Sequence, residues 1–125
     1  MTNTEFIQKC REFLNTLLNR LEQKSAYYRT QNDTFFMFEE EARSENLTVP
    51  QAIHYNKMKV ETDIKVHIKS DTEPQSIEQL NEKLGDIICY YLLLWAWWYQ
   101  IIQAQQLTPT AQRKLQEWSQ DQIVS

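Results

Sequence analysis

The sequence contains very little glycine, proline or cysteine. Its 125 residues include one glycine, three prolines and two cysteines. A β-sandwich or barrel needs several tight turns with positive φ, and a phosphate-cradling loop needs clustered glycines, so the composition argues against both. Cys10 and Cys89 lie among apolar residues and form no C-x-x-C pair, which favours buried reduced thiols over a disulfide or a zinc site.

An excess of positive charge is also missing. Lys and Arg number 13 against 17 Asp and Glu, which gives a formal net charge of −4. No basic face dominates, so nucleic acid is not an expected partner. The first residues, MTNTEFIQK, show neither a basic start nor a long apolar run, so no secretory signal is expected. These features predict a cytoplasmic protein.

Apolar residues at helical spacing predict a first long helix. The stripe consists of Phe6, Ile7, Cys10, Phe13, Leu14, Leu17, Leu18 and Leu21. Thr4 is a suitable N-cap, and the helix is expected to run to about Tyr28. Turn-forming residues at 31–34 interrupt it, and a short helix with an acidic face is expected at 39–43.

The segment after Thr48, which is a good helix cap, allows two interpretations. Between residues 58 and 69 apolar and polar side chains alternate, as in a half-buried strand. In the helical alternative, one apolar stripe contains Ile53, Val60, Ile64 and Ile68, whereas Met58 and Val66 lie outside it. The chain has no second run of this kind to pair with, so we favour a helix; a strand would pair with its copy in a dimer.

A second long helix is predicted to begin after Ser76, with Gln79 completing a capping-box pattern. Its first half is amphipathic, but the 16 residues from 87 to 102 are apolar on nearly every face. A membrane span needs about 20 apolar residues. We therefore interpret the stretch as a central helix or an oligomer contact. A final short helix is expected from Thr108.

Together these patterns predict one all-α domain over residues 1–125. We expect a four- to five-helix bundle with two long helices and shorter ones between and after them. Because the second long helix is apolar well beyond one face, we also expect a homo-oligomer.

Four side chains in the second long helix follow one another at steps of four: Glu78, Glu82, Asp86 and Tyr90. Acids at this spacing share a helix face and repel one another by roughly 0.2–0.5 kcal/mol per exposed pair. A magnesium ion would reverse this penalty, because it prefers carboxylate oxygens and bridges them to phosphate. The alternative is that the acids only face water. Gly85, the single glycine, indicates close approach by another backbone or a ligand.

The segment from Glu78 to Tyr90, ending in DIICY, resembles the acidic helix of the phage-type nucleotide modification associated domain proteins. More loosely, the stretch 82–86 (EKLGD) is similar to the second acidic motif of the MazG-like all-α NTP pyrophosphohydrolases. The upstream resemblance covers Tyr28, the stretch 32–35, Phe38, the stretch 47–52 and Lys59.

The resemblance implies an all-α, often oligomeric protein that handles nucleotides with a divalent metal. It implies a Mg²⁺ or Mn²⁺ site to which Glu78, Glu82 and Asp86 belong. In our own hypothesis the third acid beside Glu82 and Asp86 is either Glu78 or Glu41 from the earlier helix. The nucleotide-binding residues that it implies are Lys59, Tyr90, Tyr28 and Asn32. The chain departs from the MazG-like pattern at Lys83, three residues before Asp86, where those enzymes carry an acid.

Two functions follow as hypotheses. The first is a metal-dependent nucleotide-binding or nucleotide pyrophosphohydrolase-like protein, located in the host cytoplasm if the chain is encoded by a phage. The second is a non-enzymatic helical interaction protein, an inhibitor or scaffold of a protein partner. The apolar stretch and the incomplete catalytic pattern favour the second. A third hypothesis, ranked below both, is a membrane-associated helix around residues 87–102.

Overall fold

A computed structural model describes residues 1–27 and 34–106, together with Arg113 and Glu117. These ranges contain four α-helices, named here α1 (Asn3–Tyr27), α2 (Phe36–Glu45), α3 (Val49–Ser70) and α4 (Ile77–Gln105). No strand occurs within them, so the predicted all-α class is confirmed. The helix predicted from Thr108 lies outside the described residues.

Helix α3 is continuous through residues 58–69, the segment for which the sequence also allowed a strand. The helical interpretation is confirmed, and the exposure of the side chains shows why the alternation misled. Met58 and Val66, which do not fit the helical stripe, are 46% and 59% exposed. Ile53 is fully buried, and Val60 is half-buried. The apparent period of two therefore arises from apolar side chains on the solvent side of a helix.

The first residues of α1 and α3 are held by reciprocal capping bonds. The Thr48 hydroxyl accepts from the Gln51 N–H at 3.2 Å, and the Gln51 side chain accepts from the Thr48 N–H at 2.9 Å. Thr2 and Glu5 make the same pair of bonds at 3.1 and 3.2 Å. The cap of α1 is therefore Thr2 rather than the predicted Thr4, because an acid three residues after the threonine completes the capping box.

A short turn reverses the chain between α3 and α4. Asp71 adopts a left-handed conformation with φ 52°, and its N–H bonds to the last carbonyls of α3. Ser76 then caps α4 as predicted, because its hydroxyl accepts from the Gln79 N–H at 3.1 Å. The Gln79 side chain accepts from the Gln75 N–H instead of closing the box on Ser76. Side chains from the end of α3 and the start of α4 are thereby brought together.

The chain divides into two compact units, residues 1–94 and residues 95–125. All buried apolar side chains that the structure describes belong to the first unit, and they are Leu17, Phe35, Ala42, Ala52, Ile53 and Leu94. In this unit α2 packs closely on α3. The Asn56 side-chain amide of α3 donates to the Glu41 carboxylate of α2 at 2.8 Å. The described core is small for the number of apolar residues in the chain.

Many apolar side chains of the two long helices remain exposed. In α1, Leu17 is 1% exposed, whereas Phe6 and Leu18 of the same predicted stripe are 58% and 54% exposed. Within the described ranges, α4 is the one helix whose length and apolar composition suffice to cross a membrane, a property that core helices of soluble proteins share. Only 6% of its most apolar 18-residue window is buried. The prediction of a central buried helix is therefore wrong for the described chain, and the oligomer contact stays a prediction.

A buried ion pair within α3 also contacts α4 through Tyr91. The Lys57 side chain is 6% exposed and donates to the Glu61 carboxylate at 2.8 Å and to the Tyr91 hydroxyl at 3.2 Å. Its ammonium lies 4.6 Å from the centre of the Tyr91 ring. The hydrogen bond to Glu61 raises the pKa of Lys57, and the same bond lowers the pKa of Glu61. Both shifts mark a pair that is charged in the folded state.

Replacement of Glu61 by glutamine is expected to destabilise the protein by about 2 kcal/mol at neutral pH, because the buried Lys57 ammonium loses its counter-charge. Urea unfolding followed by circular dichroism measures this loss. Since folding lowers the pKa of Glu61, the carboxylate stabilises the fold above its ordinary pKa of 4.5, and this contribution disappears as the pH falls through the lower folded value. The difference between wild type and Glu61→Gln must therefore shrink in acid.

The exposed pair between Arg43 and Glu40 supplies a matched control. Its side chains are 74% and 50% exposed, and Glu40→Gln is expected to change stability by less than about 0.5 kcal/mol. Equal losses for the two variants, or a Glu61→Gln effect independent of pH, would contradict a buried charged pair.

Candidate functional site

A polar cleft lies where the second half of α3 faces the first half of α4. Its volume is about 290 Å³, and its lining residues are Val60, Asp63, Gln79, Glu82, Lys83 and Asp86. Three carboxylates from two helices therefore border one space, together with one lysine. We call it the α3–α4 cleft.

The structure separates the three acids that follow one another at steps of four in α4, Glu78, Glu82 and Asp86, which we call the acid ladder. The exposed Glu82 and the half-buried Asp86 line the α3–α4 cleft, whereas Glu78, which is also exposed, lies at the start of the helix and does not. Tyr90 is half-buried and packs edge-to-face against Phe38, with ring centres 6.4 Å apart. Burial raises the pKa of the Tyr90 phenol, and the nearby negative charge of Asp86 adds to this effect. One helix face thus supplies two carboxylates to the cleft and a neutral phenol beyond them.

Asp86 is oriented by a residue of α1. The Arg20 guanidinium donates to the Asp86 carboxylate at 3.3 Å, and each side chain is 34% exposed. An ion pair with this exposure is partly solvated and contributes at most about 1 kcal/mol to stability. The Asp86 carboxylate is therefore held by a weak ion pair and remains accessible to other ligands.

Gly85 allows α1 to approach α4 at this point. The glycine is buried, and a Cβ atom placed on it would lie 3.2 Å from both Leu17 Cδ1 and Arg20 Nη1. We expected another backbone or a ligand to approach Gly85, and the structure instead places two side chains of α1 there. The absence of a side chain at this position lets Arg20 reach Asp86 on the next residue.

Lys83 spans the cleft towards the end of α3. Its ammonium lies 3.2 Å from His67 Nε2, and His67 Nδ1 lies 3.2 Å from the Thr72 hydroxyl. These contacts link Lys83 of α4 to the last turn of α3 and to the turn that follows it. The lysine that interrupts the MazG-like acid pattern is thus placed in the cleft as a positive charge.

The remaining predicted site residues are not brought to the cleft. Glu41 is half-buried on α2, where it accepts a hydrogen bond from Asn56. Lys59 is exposed on α3 and does not line the cleft. Tyr28 and Asn32 lie outside the described residues. Across residues 1–27 and 34–106, no group of three His, Cys, Asp or Glu side chains is arranged to hold a metal ion by itself.

Sequence reasoning missed Asp63 and Arg20 as parts of the site. Asp63 follows Val60 by three residues, so the two share a helix face, but the alternating pattern of this segment concealed that relation. Arg20 meets Asp86 across 66 positions of the chain, a separation for which no local pattern exists.

Comparison with known proteins returned no relative, since the chain matches no family model, no curated protein and no solved structure.

The contact at Gly85 predicts a size limit at this position. Gly85→Val is expected to destabilise the fold by about 2 kcal/mol, because its methyl groups overlap the space of Leu17 and Arg20. Gly85→Ala is the matched control. Its gain in helix propensity, about 1 kcal/mol, offsets the smaller crowding, so it should stay within about 1 kcal/mol of wild type. Urea unfolding measures both, and equal stability of the valine and alanine variants would refute close packing here.

Proposed function

We propose that the α3–α4 cleft binds the phosphate groups of a nucleotide together with a divalent cation, Mg²⁺ or Mn²⁺. The observation that carries the proposal is the meeting of Asp63 from α3 with Glu82 and Asp86 from α4 around one cleft. The resemblance of the segment 78–90 to the acidic helix of nucleotide modification associated domain proteins supports the same function.

The donor set suits a cation that arrives with its nucleotide. Mg²⁺ is usually held by one or two carboxylates, by several waters and by substrate phosphates, rather than by a cage made only of protein ligands. Such a cation needs only one or two of the carboxylates that line the cleft, Asp63, Glu82 and Asp86. Carboxylate oxygens are hard ligands, which favours Mg²⁺ or Mn²⁺ over softer metals.

Two positive side chains complement the phosphate charge. Lys83 lines the cleft, and Arg20 reaches Asp86 from α1. Charge-assisted hydrogen bonds from such groups to phosphate oxygens are about twice as strong as neutral ones. When phosphate enters, Arg20 can turn from Asp86 to the ligand at little cost, because the pair is partly solvated.

The size of the cleft limits the part of the ligand that it holds. Ligand pockets commonly occupy about 300–1,000 Å³, and the cleft, at about 290 Å³, suits the phosphate end of a nucleotide rather than the whole molecule. If the protein is a pyrophosphohydrolase-like enzyme, the bound cation supplies Lewis-acid activation of water and phosphate. Lys83 and Arg20 would then stabilise charge on the phosphate oxygens.

Metal-dependent binding tests the proposal. Isothermal titration with nucleoside mono-, di- and triphosphates is expected to show binding with Mn²⁺ and little without it. Asp86→Asn and Asp63→Asn should each weaken that binding by about tenfold or more, equivalent to roughly 1.4 kcal/mol. Release of pyrophosphate, measured on the same samples, decides whether the site turns over.

Two further variants sharpen the result. Glu45→Gln removes an exposed acid of α2 that does not line the cleft and should leave nucleotide binding unchanged. Glu78→Gln distinguishes a site confined to the cleft from a site formed by all three acids. If only the cleft binds the nucleotide, this variant should weaken binding little. If all three acids bind, the loss should be as large as that of Asp86→Asn. Binding that ignores the metal, or that survives both Asp63→Asn and Asp86→Asn, would end the proposal.

The second function, a non-enzymatic interaction protein, is favoured by the first half of α1. Phe6, Ile7, Leu14 and Leu18 are between 45% and 58% exposed there. Such a surface suits the apolar face of a protein partner. This function gains support if the titrations show no metal-dependent nucleotide binding.

A further inference from the structure

The second half of α4 carries exposed aromatic and aliphatic side chains along one face. Trp95, Trp98, Tyr99 and Ile102 follow one another at steps of three, one and three, so they lie on the same side of the helix. Their exposed fractions are 61%, 51%, 51% and 48%. We call these four residues the aromatic seam. Adjoining apolar side chains with this exposure mark a contact surface.

The aromatic seam is partly ordered before any partner arrives. The Trp95 and Tyr99 rings are stacked, with centroids 5.1 Å apart and planes inclined by 29°. Stacking on the helix surface limits the rotamers of both rings. The entropy lost when a partner packs on them is correspondingly smaller.

The lack of charge around the aromatic seam restricts the chemistry of its partner. No Asp, Glu, Lys, Arg or His occurs between Asp86 and Arg113. A charged partner surface would find no ion pair along this stretch of α4 and would lose hydration. A second copy of the same helix presents an uncharged apolar stripe of equal size. In a two-fold interface the same patch of each copy faces the other, so this pairing brings no like charges together.

The area of the aromatic seam agrees with a pair of copies. Half-exposed tryptophan, tyrosine and isoleucine side chains of this number offer about 500 Å² per chain. Two seams facing each other would bury about 1,000 Å², which is the lower limit for a specific protein interface.

A lipid surface suits the aromatic seam less well. Helices that lie on membranes carry Lys and Arg on their polar face, and α4 has none after Lys83. By length and composition α4 could also cross a bilayer, so a lipid partner is one outcome of the test below. On the side of α4 away from the seam, Gln100 is exposed.

We propose that the aromatic seam packs against the same seam of a second copy of this chain, so that the protein is a two-fold homodimer joined through α4. The dimer does not depend on the nucleotide site, whose lining residues lie between 60 and 86. Burial of the two tryptophans of each seam supplies most of the association free energy, since aromatic side chains dominate interface energetics.

Sedimentation equilibrium of the full chain in detergent-free buffer, over a hundredfold range of concentration, tests the proposal. The wild-type protein is expected to reach the mass of a dimer. Trp98→Glu should weaken self-association by about tenfold or more, because it places a charge inside the seam. Gln100→Glu adds the same charge on the far side of the helix and should leave the dimer intact.

A measurement on the wild-type chain alone keeps the test decisive if Trp98→Glu fails to fold, which circular dichroism would reveal. Tryptophan emission should shift to shorter wavelength over the concentration range in which sedimentation shows association. Three outcomes overturn the proposal: a monomer at every concentration, a folded Trp98→Glu variant that dimerises as tightly as wild type, or wild-type chain that floats with phosphatidylcholine vesicles and forms no dimer in their absence.

Discussion

The close contact of α1 with α4 at Gly85 is the constraint on which the candidate site depends. Any side chain at this position would meet Leu17 and Arg20. With glycine there, the buried Leu17 side chain anchors α1, and Arg20 on the next turn of the same helix reaches Asp86. One small residue therefore determines both a packing contact and the charge environment of the carboxylate beside it.

Two ion pairs of the first unit, one within α3 and one between α1 and α4, differ in burial, and this difference assigns them different roles. Lys57 and Glu61 are 6% and 23% exposed, so the pair is shielded from water and its loss would leave an uncompensated charge. Arg20 and Asp86 are each 34% exposed. Water and ions compete for this second pair, so its members remain accessible to a ligand. The first pair is structural, and the second borders the α3–α4 cleft.

Helix α4 combines two kinds of surface along its length. Its first half contributes Glu82, Lys83 and Asp86 to a charged cleft, and its second half bears the uncharged aromatic seam. Because charged groups favour water or ionic ligands and apolar groups favour one another, the two halves call for different partners. A single helix can thus serve a phosphate ligand at one end and a second copy of the chain at the other.

The sequence by itself determined the local structure. Capping residues such as Thr48 and the apolar spacing of α1, α3 and α4 were sufficient to predict the all-α class, because hydrogen bonding and helix periodicity act over three to four residues. It also placed Glu82 and Asp86 on one face of α4. Only the tertiary structure decided that Asp63 and Arg20 join them, that Lys57 rather than Lys59 is the buried lysine of α3, and that much of the apolar surface of α1 and α4 stays uncovered. These features depend on which helices meet and at what rotation, and contacts between residues as far apart as 66 positions leave no periodic signal in the chain.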